Sequence, residues 1–469
     1  MRFAVLAALL IPTTASAQDV GRTRAGPAWQ EDPMLRDLVR EAVEKRPEVG
    51  QVRAQIAAER ERMPQSHVLP DPSLSLGIQN DGFSGIQIGK MESSWLYIVA
   101  AQTFPWPGKR GMRGEVVGMD AQSAETDLRR TLLTVAADVE RSYLDLLLVR
   151  DQLGLLGKLE SLWQQSEVVA LSRYQSGEGA QSDVLRVQLE RSRLKQRRWA
   201  LESEERRKVA VLNRVRGHAL DEEIATHRTL ADVPDPVFPD PEQAVVESLG
   251  ESPELRKAQL VGQQAERRVD LAKKERWPDV TVSAGVMPRW GEFGTMWQAG
   301  VAFNVPVWSL GKQTHVIAEN QARGQAARGG AATVREILAL RVRERIESLR
   351  ALLAVNRLYR SGLLAQSEST VASTLVQYQV GRVSFAAVLE ALSGYLSDVN
   401  GFLDSVAAAQ RIAIAQREIS LESPGGAGGG SAGSASMPGT GAAGAAASSG
   451  RGSGQPSGTE SSGSSMSRM

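Results

Sequence analysis

Tyr174-Gln175-Ser176-Gly177-Glu178-Gly179-Ala180-Gln181-Ser182-Asp183-Val184-Leu185 returns later in the chain as Tyr378-Gln379-Val380-Gly381-Arg382-Val383-Ser384-Phe385-Ala386-Ala387-Val388-Leu389, followed by Glu390. A plain helical-hairpin turn explains part of this. Glycine suits the left-handed position just past a helix end, and a Val-Leu pair starts the apolar seam of a returning helix. It does not explain why Tyr, Gly, Val and Leu recur at identical spacing. Internal repetition of this kind marks a duplicated architecture.

Working outward, the rest of the chain repeats in the same order. Arg46-Pro47-Glu48-Val49 matches Ser252-Pro253-Glu254-Leu255, and each opens a polar segment that closes on Glu59-Arg60 or Glu266-Arg267. Asp71-Pro72-Ser73-Leu74-Ser75-Leu76 then matches Asp279-Val280-Thr281-Val282-Ser283-Ala284, and Phe104-Pro105 with Gly108-Lys109 parallels Val305-Pro306 with Gly311-Lys312. Each copy reads as short helix, strand, loop, strand, long helix, turn, long helix. Repeat 1 spans 35–217, with a β-hairpin over 72–105 and a tip near 177–183. A linker covers 218–239. Repeat 2 spans 240–422, with a hairpin over 279–306 and a tip near 381–387.

The strands alternate with period two. Leu74, Leu76 and Ile78 oppose Ser73, Ser75 and Gln79, and Trp297, Val301, Phe303 and Val305 oppose Gln298, Gly300 and Asn304. Ser94 to Phe104 is apolar on both faces. Each strand should run about 9 to 11 residues, the length of a tilted membrane strand. A soluble two-hairpin sheet has the same alternation, so the strands alone leave both readings open.

The helices carry a 3.5-residue seam, the signature of coiled-coil packing. It runs through Leu128, Leu132, Val135, Val139, Ser142, Leu146, Val149 and Leu153, and again through Leu338, Val342, Ile346, Leu349 and Leu353. Gly111 to Ser176 contains no proline. As one helix it would reach roughly 100 Å. Gly324, Gly329 and Gly330 predict a bend or break early in the second long helix. Ser384 is a good N-cap for its returning helix, whereas its counterpart Ala180 is a poor one, at a cost of about 1 kcal/mol. Gly217 and Pro424 are the expected stops of the two returning helices.

The ends of the chain read differently. Arg2, the apolar run Phe3 to Ile11 and the Ala15-Ser16-Ala17 site form a secretory signal over 1–17. An N-terminal extension over 18–34 follows. Residues 423–469 are Gly, Ser and Ala with scattered Pro, a composition expected to stay disordered.

Composition excludes several functions. The chain has no cysteine, hence no disulfide, thiolate metal site or lipid anchor on cysteine. A net charge of +1 with both signs mixed does not suit a nucleic-acid binder. No stretch after the signal approaches the roughly 18 to 20 apolar residues of a spanning helix, so membrane residence would require a β-barrel. The four histidines, His67, His218, His227 and His315, include no i, i+3 or i+4 pair. Asp221-Glu222-Glu223 read as solvated linker acids. With no nucleophile–base constellation, no enzymatic activity, cofactor or metal site is expected.

The Tyr-x-x-Gly…Val-Leu turns, the Pro105/Gly108 and Pro306/Gly311 junctions and the Pro-Glu-aliphatic helix starts resemble those of the TolC-type outer-membrane efflux proteins. The resemblance covers residues 35 to 422. The run Phe104-Pro105-Trp106-Pro107-Gly108-Lys109-Arg110 is most similar to the heavy-metal or copper branch. The resemblance implies an α+β fold: long helices forming a coiled-coil α-barrel, and four transmembrane strands per chain completing a twelve-stranded β-barrel in a homotrimer. It implies an exit duct in the outer membrane of a Gram-negative cell, extending into the periplasm. The implied partners are outer-membrane lipid, a periplasmic adaptor and an inner-membrane pump of the proton-driven type. The implied periplasmic gate and adaptor contact comprise Tyr174, Gly177, Asp183, Val184, Leu185, Tyr378, Gly381, Ser384, Val388, Leu389 and Glu390. Asp183 falls where the family keeps an acid and Tyr378 where it helps hold the aperture shut. Ala387 departs from the usual aspartate, and Glu390 lies one turn on. The alternatives are a periplasmic coiled-coil adaptor and a secreted enzyme. An adaptor would need one helical hairpin and lipoyl-like β segments.

Overall fold

The computed structural model describes residues 32–422, apart from 84, 238–239 and 306–310. The signal segment, most of the N-terminal extension, the tail, Pro306 and Pro424 lie outside the described residues. In chain order the elements are α1 (Pro33–Lys45), α2 (Pro47–His67), β1 (Ser73–Gln79), β2 (Trp95–Phe104), α3 (Lys109–Gln175), α4 (Gln181–Arg216), α5 (Pro241–Glu251), α6 (Pro253–Lys274), β3 (Val280–Met287), β4 (Met296–Phe303), α7 (Lys312–Leu358), α8 (Leu364–Gln379) and α9 (Phe385–Arg417).

Proline sets the short helices. Pro33, Pro47, Pro241 and Pro253 each occupy a first helical position, where the missing N–H costs nothing. Asp32 and Asp240, at equivalent caps, accept from Met34 N and Glu242 N at 3.0 Å. Ser252 accepts from Leu255 N at 3.2 Å. Both copies therefore begin with two short helices, one more than the sequence pattern shows.

α3 is one helix of 67 residues, as the proline-free run predicts. Val135, Val139, Ser142, Leu146 and Val149 are buried along its upper seam, and Leu156, Leu159, Trp163, Ser166 and Ala170 continue it below. Leu338, Val342, Ile346 and Leu349 are buried in α7. The glycine-rich start of α7 is unbroken, against expectation. Gly324 is buried there, with room for a Cβ in ordinary contact with the Ala265 Cβ of α6, 3.6 Å away. The interruption comes later, as a π-turn over Tyr359–Leu363. There the Tyr359 ring packs against Phe402 at 5.9 Å, and its hydroxyl occupies the space a side chain at Gly401 would need.

The returning helices end differently. Gly217, at φ +75°, stops α4 as expected. α9 stops at Arg417, well before Pro424, and the left-handed position belongs to Ile419 at φ +54°. Ile419 is 2% exposed and packs with Val342 and Ile346. Arg130 donates to the carbonyls of Glu418 (2.8 Å) and Ile419 (3.2 Å), and Arg341 to that of Leu421 (3.2 Å). Burial and charged donors hold an end that glycine would otherwise make. The linker is docked too: Leu230 is fully buried and its N–H donates to Asp151 Oδ2 at 2.6 Å. Glu222, expected to be merely solvated, pairs with Arg216 and His218.

The sheet is an antiparallel meander, β1-β2-β3-β4, with β2 and β3 joining the two strand hairpins. The strands hold 7, 10, 8 and 8 residues, so only β2 reaches the expected length. β1 gives way at Asn80, whose side chain binds Gly82 O, Gly85 O and Gln87 N and closes the loop. The register sorts the two faces. One face carries Leu74, Leu76 and Ile78 opposite Ala100, Ile98 and Leu96, and continues through Ala284 and Val286 to Ala299 and Trp297. The other carries Ser73, Ser75, Thr103, Thr281, Ser283 and Gln298. The apolar face is open in the edge strands: Leu74 and Leu76 are each 65% exposed, and Trp297 is 79% exposed.

Candidate functional site

The two helix turns are built alike. In the first, Gly177 N donates to Tyr174 O at 3.1 Å and Glu178 N to Arg173 O at 2.9 Å. In the second, Gly381 N donates to Tyr378 O at 3.1 Å and Arg382 N to Gln377 O at 2.9 Å. This is the Schellman pair of bonds, which requires the left-handed residue that Gly177 (φ +77°) and Gly381 (φ +73°) supply. Ala180 and Ser384 are the N-caps of α4 and α9, as expected, but the Ser384 hydroxyl makes no cap bond. Its backbone carbonyl accepts from Ala387 N at 3.1 Å, the counterpart of Ala180 O accepting from Asp183 N at 3.0 Å. The capping advantage given to the second copy is therefore absent.

The structure brings some of the expected tip residues together and leaves others apart. Val184, Tyr378, Phe385 and Val388 are buried in one apolar cluster with Trp163 and Val371. Tyr378 is 2% exposed, with its ring edge-on to Phe385 at 5.6 Å. Tyr174 and Leu185 point outward and are exposed, as are Ser384 and Glu390, while Leu389 is partly buried. The aromatic residues of the two matched turns thus have opposite fates, one at the surface and one in the core.

Around Tyr378 lies an arrangement that spans both helix turns. Its hydroxyl donates to Asp183 Oδ2 at 3.4 Å. The Arg173 guanidinium sits 5.2 Å from its ring centroid, donates to its carbonyl oxygen, and reaches Glu178 O at 3.3 Å. Burial first, and the Asp183 carboxylate second, push the Tyr378 phenol up from its ordinary value. Arg173 was not among the residues expected here. Its counterpart in the second turn is Gln377, and that of Asp183 is Ala387. The turns therefore differ in charge at these two positions, as they do at Glu178 and its counterpart Arg382, and Arg173 and Asp183 both serve Tyr378. That difference was the available signal. The arrangement can hold two helix ends together; among the described residues no group of His, Asp and Glu is placed to hold a metal ion.

A second cross-repeat contact lies at the foot of the sheet. Lys109, 3% exposed, donates from Nζ to Asp279 Oδ1 at 2.8 Å and Trp277 O at 2.7 Å. Trp106 N donates to the same carboxylate oxygen at 2.9 Å, and the Trp106 and Trp277 rings stack at 5.0 Å. The Pro-Gly-Lys junction in the sequence is thus a structural clasp.

Residues 244–420 match the family model described as Outer membrane efflux protein. No curated protein matches the chain. Solved structures share its fold. The outer-membrane channel OprN aligns with a TM-score of 0.68 at 17% identity, over 89% of this chain and 97% of its own. CusC aligns at 0.71 and 14%, over 86% and 96%. The outer membrane protein VceC of Vibrio cholerae aligns at 0.68 and 16%, over 84% and 96%. At such identities these likenesses speak for the fold. The second half of the chain, residues 244–420, thus matches the outer membrane efflux protein family model, and the chain as a whole is similar in fold to these solved channels.

Proposed function

We propose that this protein is the outer-membrane exit duct of a tripartite efflux system, passively conducting what an inner-membrane pump expels through a periplasmic adaptor. The carrying observation is the sheet. One face is apolar and open at its edge strands, with Leu74, Leu76, Ile78, Val301 and Phe303 each more than half exposed, while the opposite face is small or polar outside Trp95, Tyr97 and Val99 of β2 and the Met287–Met296 pair. In water such a face would be an aggregation liability; in hydrocarbon it is matched to its solvent. Trp277 and Trp106 below the sheet and Trp290 above it suit the aromatic girdles of membrane barrels. Among the described residues no helix is long and apolar enough to cross a membrane.

The edges β1 and β4 have no further strand partner within the described chain. Lipid does not tolerate open sheet edges, so four strands must be completed by other copies. The reading is a homotrimer whose strands close one twelve-stranded barrel, supported by the likeness in fold to solved outer-membrane channels. The helical hairpins then form the periplasmic tunnel, with the Tyr378–Asp183–Arg173 arrangement holding its tip shut and Glu390 near the aperture. The family conducts rather than catalyses. The copper-branch likeness of residues 104–110 favours a metal-type pump as partner, with substrate choice residing in that pump.

The test is fractionation followed by cross-linking. The mature chain should sediment with the outer membrane and cross-link as a trimer. Recovery as a soluble periplasmic monomer would favour the adaptor reading and exclude the channel.

A further inference from the structure

The duplication points to a contact that a single protomer does not make. Within one chain the β2–β3 ladder joins the repeats, and the Lys109–Asp279 pair clasps its foot. Both members have counterparts. Lys312 is the first residue of α7 as Lys109 is of α3. Asp71 follows Pro70 just ahead of β1, as Asp279 follows Pro278 just ahead of β3. Yet Asp71 and Lys312 are both exposed, and neither side chain pairs with another described residue. The sheet order puts them at opposite edges, beside β1 and after β4.

We propose that where β4 of one protomer meets β1 of the next, Lys312 of the first and Asp71 of the second form the ion pair that Lys109 and Asp279 form within a chain. This rests on the trimeric reading above and names the groups that close its seam. The register supports it. Phe104 faces Val280 in the internal ladder. Carried through the repeat, that pairing sets Val305 opposite Pro72, and hence Val301 opposite Leu76 and Ala302 opposite Ser75. Val301 and Leu76 each lie on the apolar face by their own internal pairings, and Ala302 and Ser75 each lie on the other. A one-residue slip would set every apolar side chain against the wrong face. The inherited register, the face parity and the opposite charges agree.

The chain has no cysteine, so introduced thiols report alone. V301C/L76C and A302C/S75C are neighbouring opposed pairs, one of which is of the close, non-hydrogen-bonded kind that disulfides favour. At least one should give covalent trimers on oxidation, while V301C/L74C, shifted by two residues, should not. In the same background without oxidant, D71K and K312D should each lower the temperature at which the native trimer dissociates by several degrees. D71K/K312D should regain at least half of that loss. An acid at the first position of a helix is favourable in itself, so K312D does not weaken α7. If in-register trimers form but the single reversals leave the dissociation temperature unmoved, or the swap regains nothing, the ion pair is refuted and the trimer stands. If no trimer forms in any variant, the channel reading itself has failed.

Discussion

Tyr378 of the second repeat donates its phenol to Asp183 of the first at 3.4 Å, and its own carbonyl accepts from Arg173 of the same first repeat. The two hairpin tips are thereby tied through one buried aromatic residue, and all the charge in the tie comes from one copy. The bonds differ in strength. The Arg173 contact combines a charged donor with a cation–π approach at 5.2 Å. The phenol–carboxylate contact is long.

From that difference a ranking follows for gating. Replacing Arg173 by glutamine, the residue its counterpart Gln377 already is, removes a charge-assisted bond of about 1.5–3 kcal/mol. The ratio of open to closed channels should rise roughly tenfold or more. D183N should act in the same direction with about 1 kcal/mol, roughly fivefold. Open probability in planar bilayers checks both; an R173Q channel no more open than D183N would contradict the assignment.

Glu390 is exposed, whereas Asp183 is turned toward Tyr378. If three copies of Glu390 ring the aperture, they set its charge preference. E390Q should shift the reversal potential in a salt gradient toward lower cation selectivity, and D183N should shift it less. Equal or opposite shifts would place Glu390 away from the pore.

Asp145 joins three helices, accepting from Lys208 of α4 and Arg411 of α9 at 2.8 Å each. Burial alone would raise its pKa, but the hydrogen bonds and charges of Arg411 and Lys208 outweigh it and hold the carboxyl below its ordinary 3.8. A depressed folded-state value means the stabilisation is present above the unfolded value and is lost as pH falls through the folded one. Thermal melts should therefore drop below pH 3.8 more steeply in the wild-type chain than in D145N.

Much of this was legible in the residues. The proline-free run gave the length of α3, and Gly177, Gly217 and Gly381 marked helix ends because a left-handed position favours glycine. Strand alternation separated the sheet's faces. Two of the misses come from long-range packing. The π-turn at 359–363 contains a glycine but lies where Tyr359 packs on Gly401 and Phe402, far along the chain. Ile419 takes the left-handed position because it is buried and its neighbouring carbonyls are held by arginines, none of which a local pattern reveals. Arg173 was invisible to a search for what the copies share, because it lies where they differ.

Ile419 gives a test of that account. Glycine there would relieve backbone strain of about 1–2 kcal/mol but surrender the burial of an isoleucine, about 2–3 kcal/mol. Ile→Ala at a buried site costs about 2–5 kcal/mol with its cavity, and I419G, which adds the strain relief of about 1–2 kcal/mol, should lose no more than I419A. I419A retains part of the strain and should fall below I419G in denaturant melts; the reverse order would mean the position is unstrained.

The central claim is that copies of this chain enclose a gated pore, and single-channel recording of the purified mature protein tests it most directly. The account predicts discrete, partly closed conductance steps from a trimeric species, with R173Q raising the open fraction. A trimer-free preparation that inserts no conductance in either wild-type or R173Q form would contradict it.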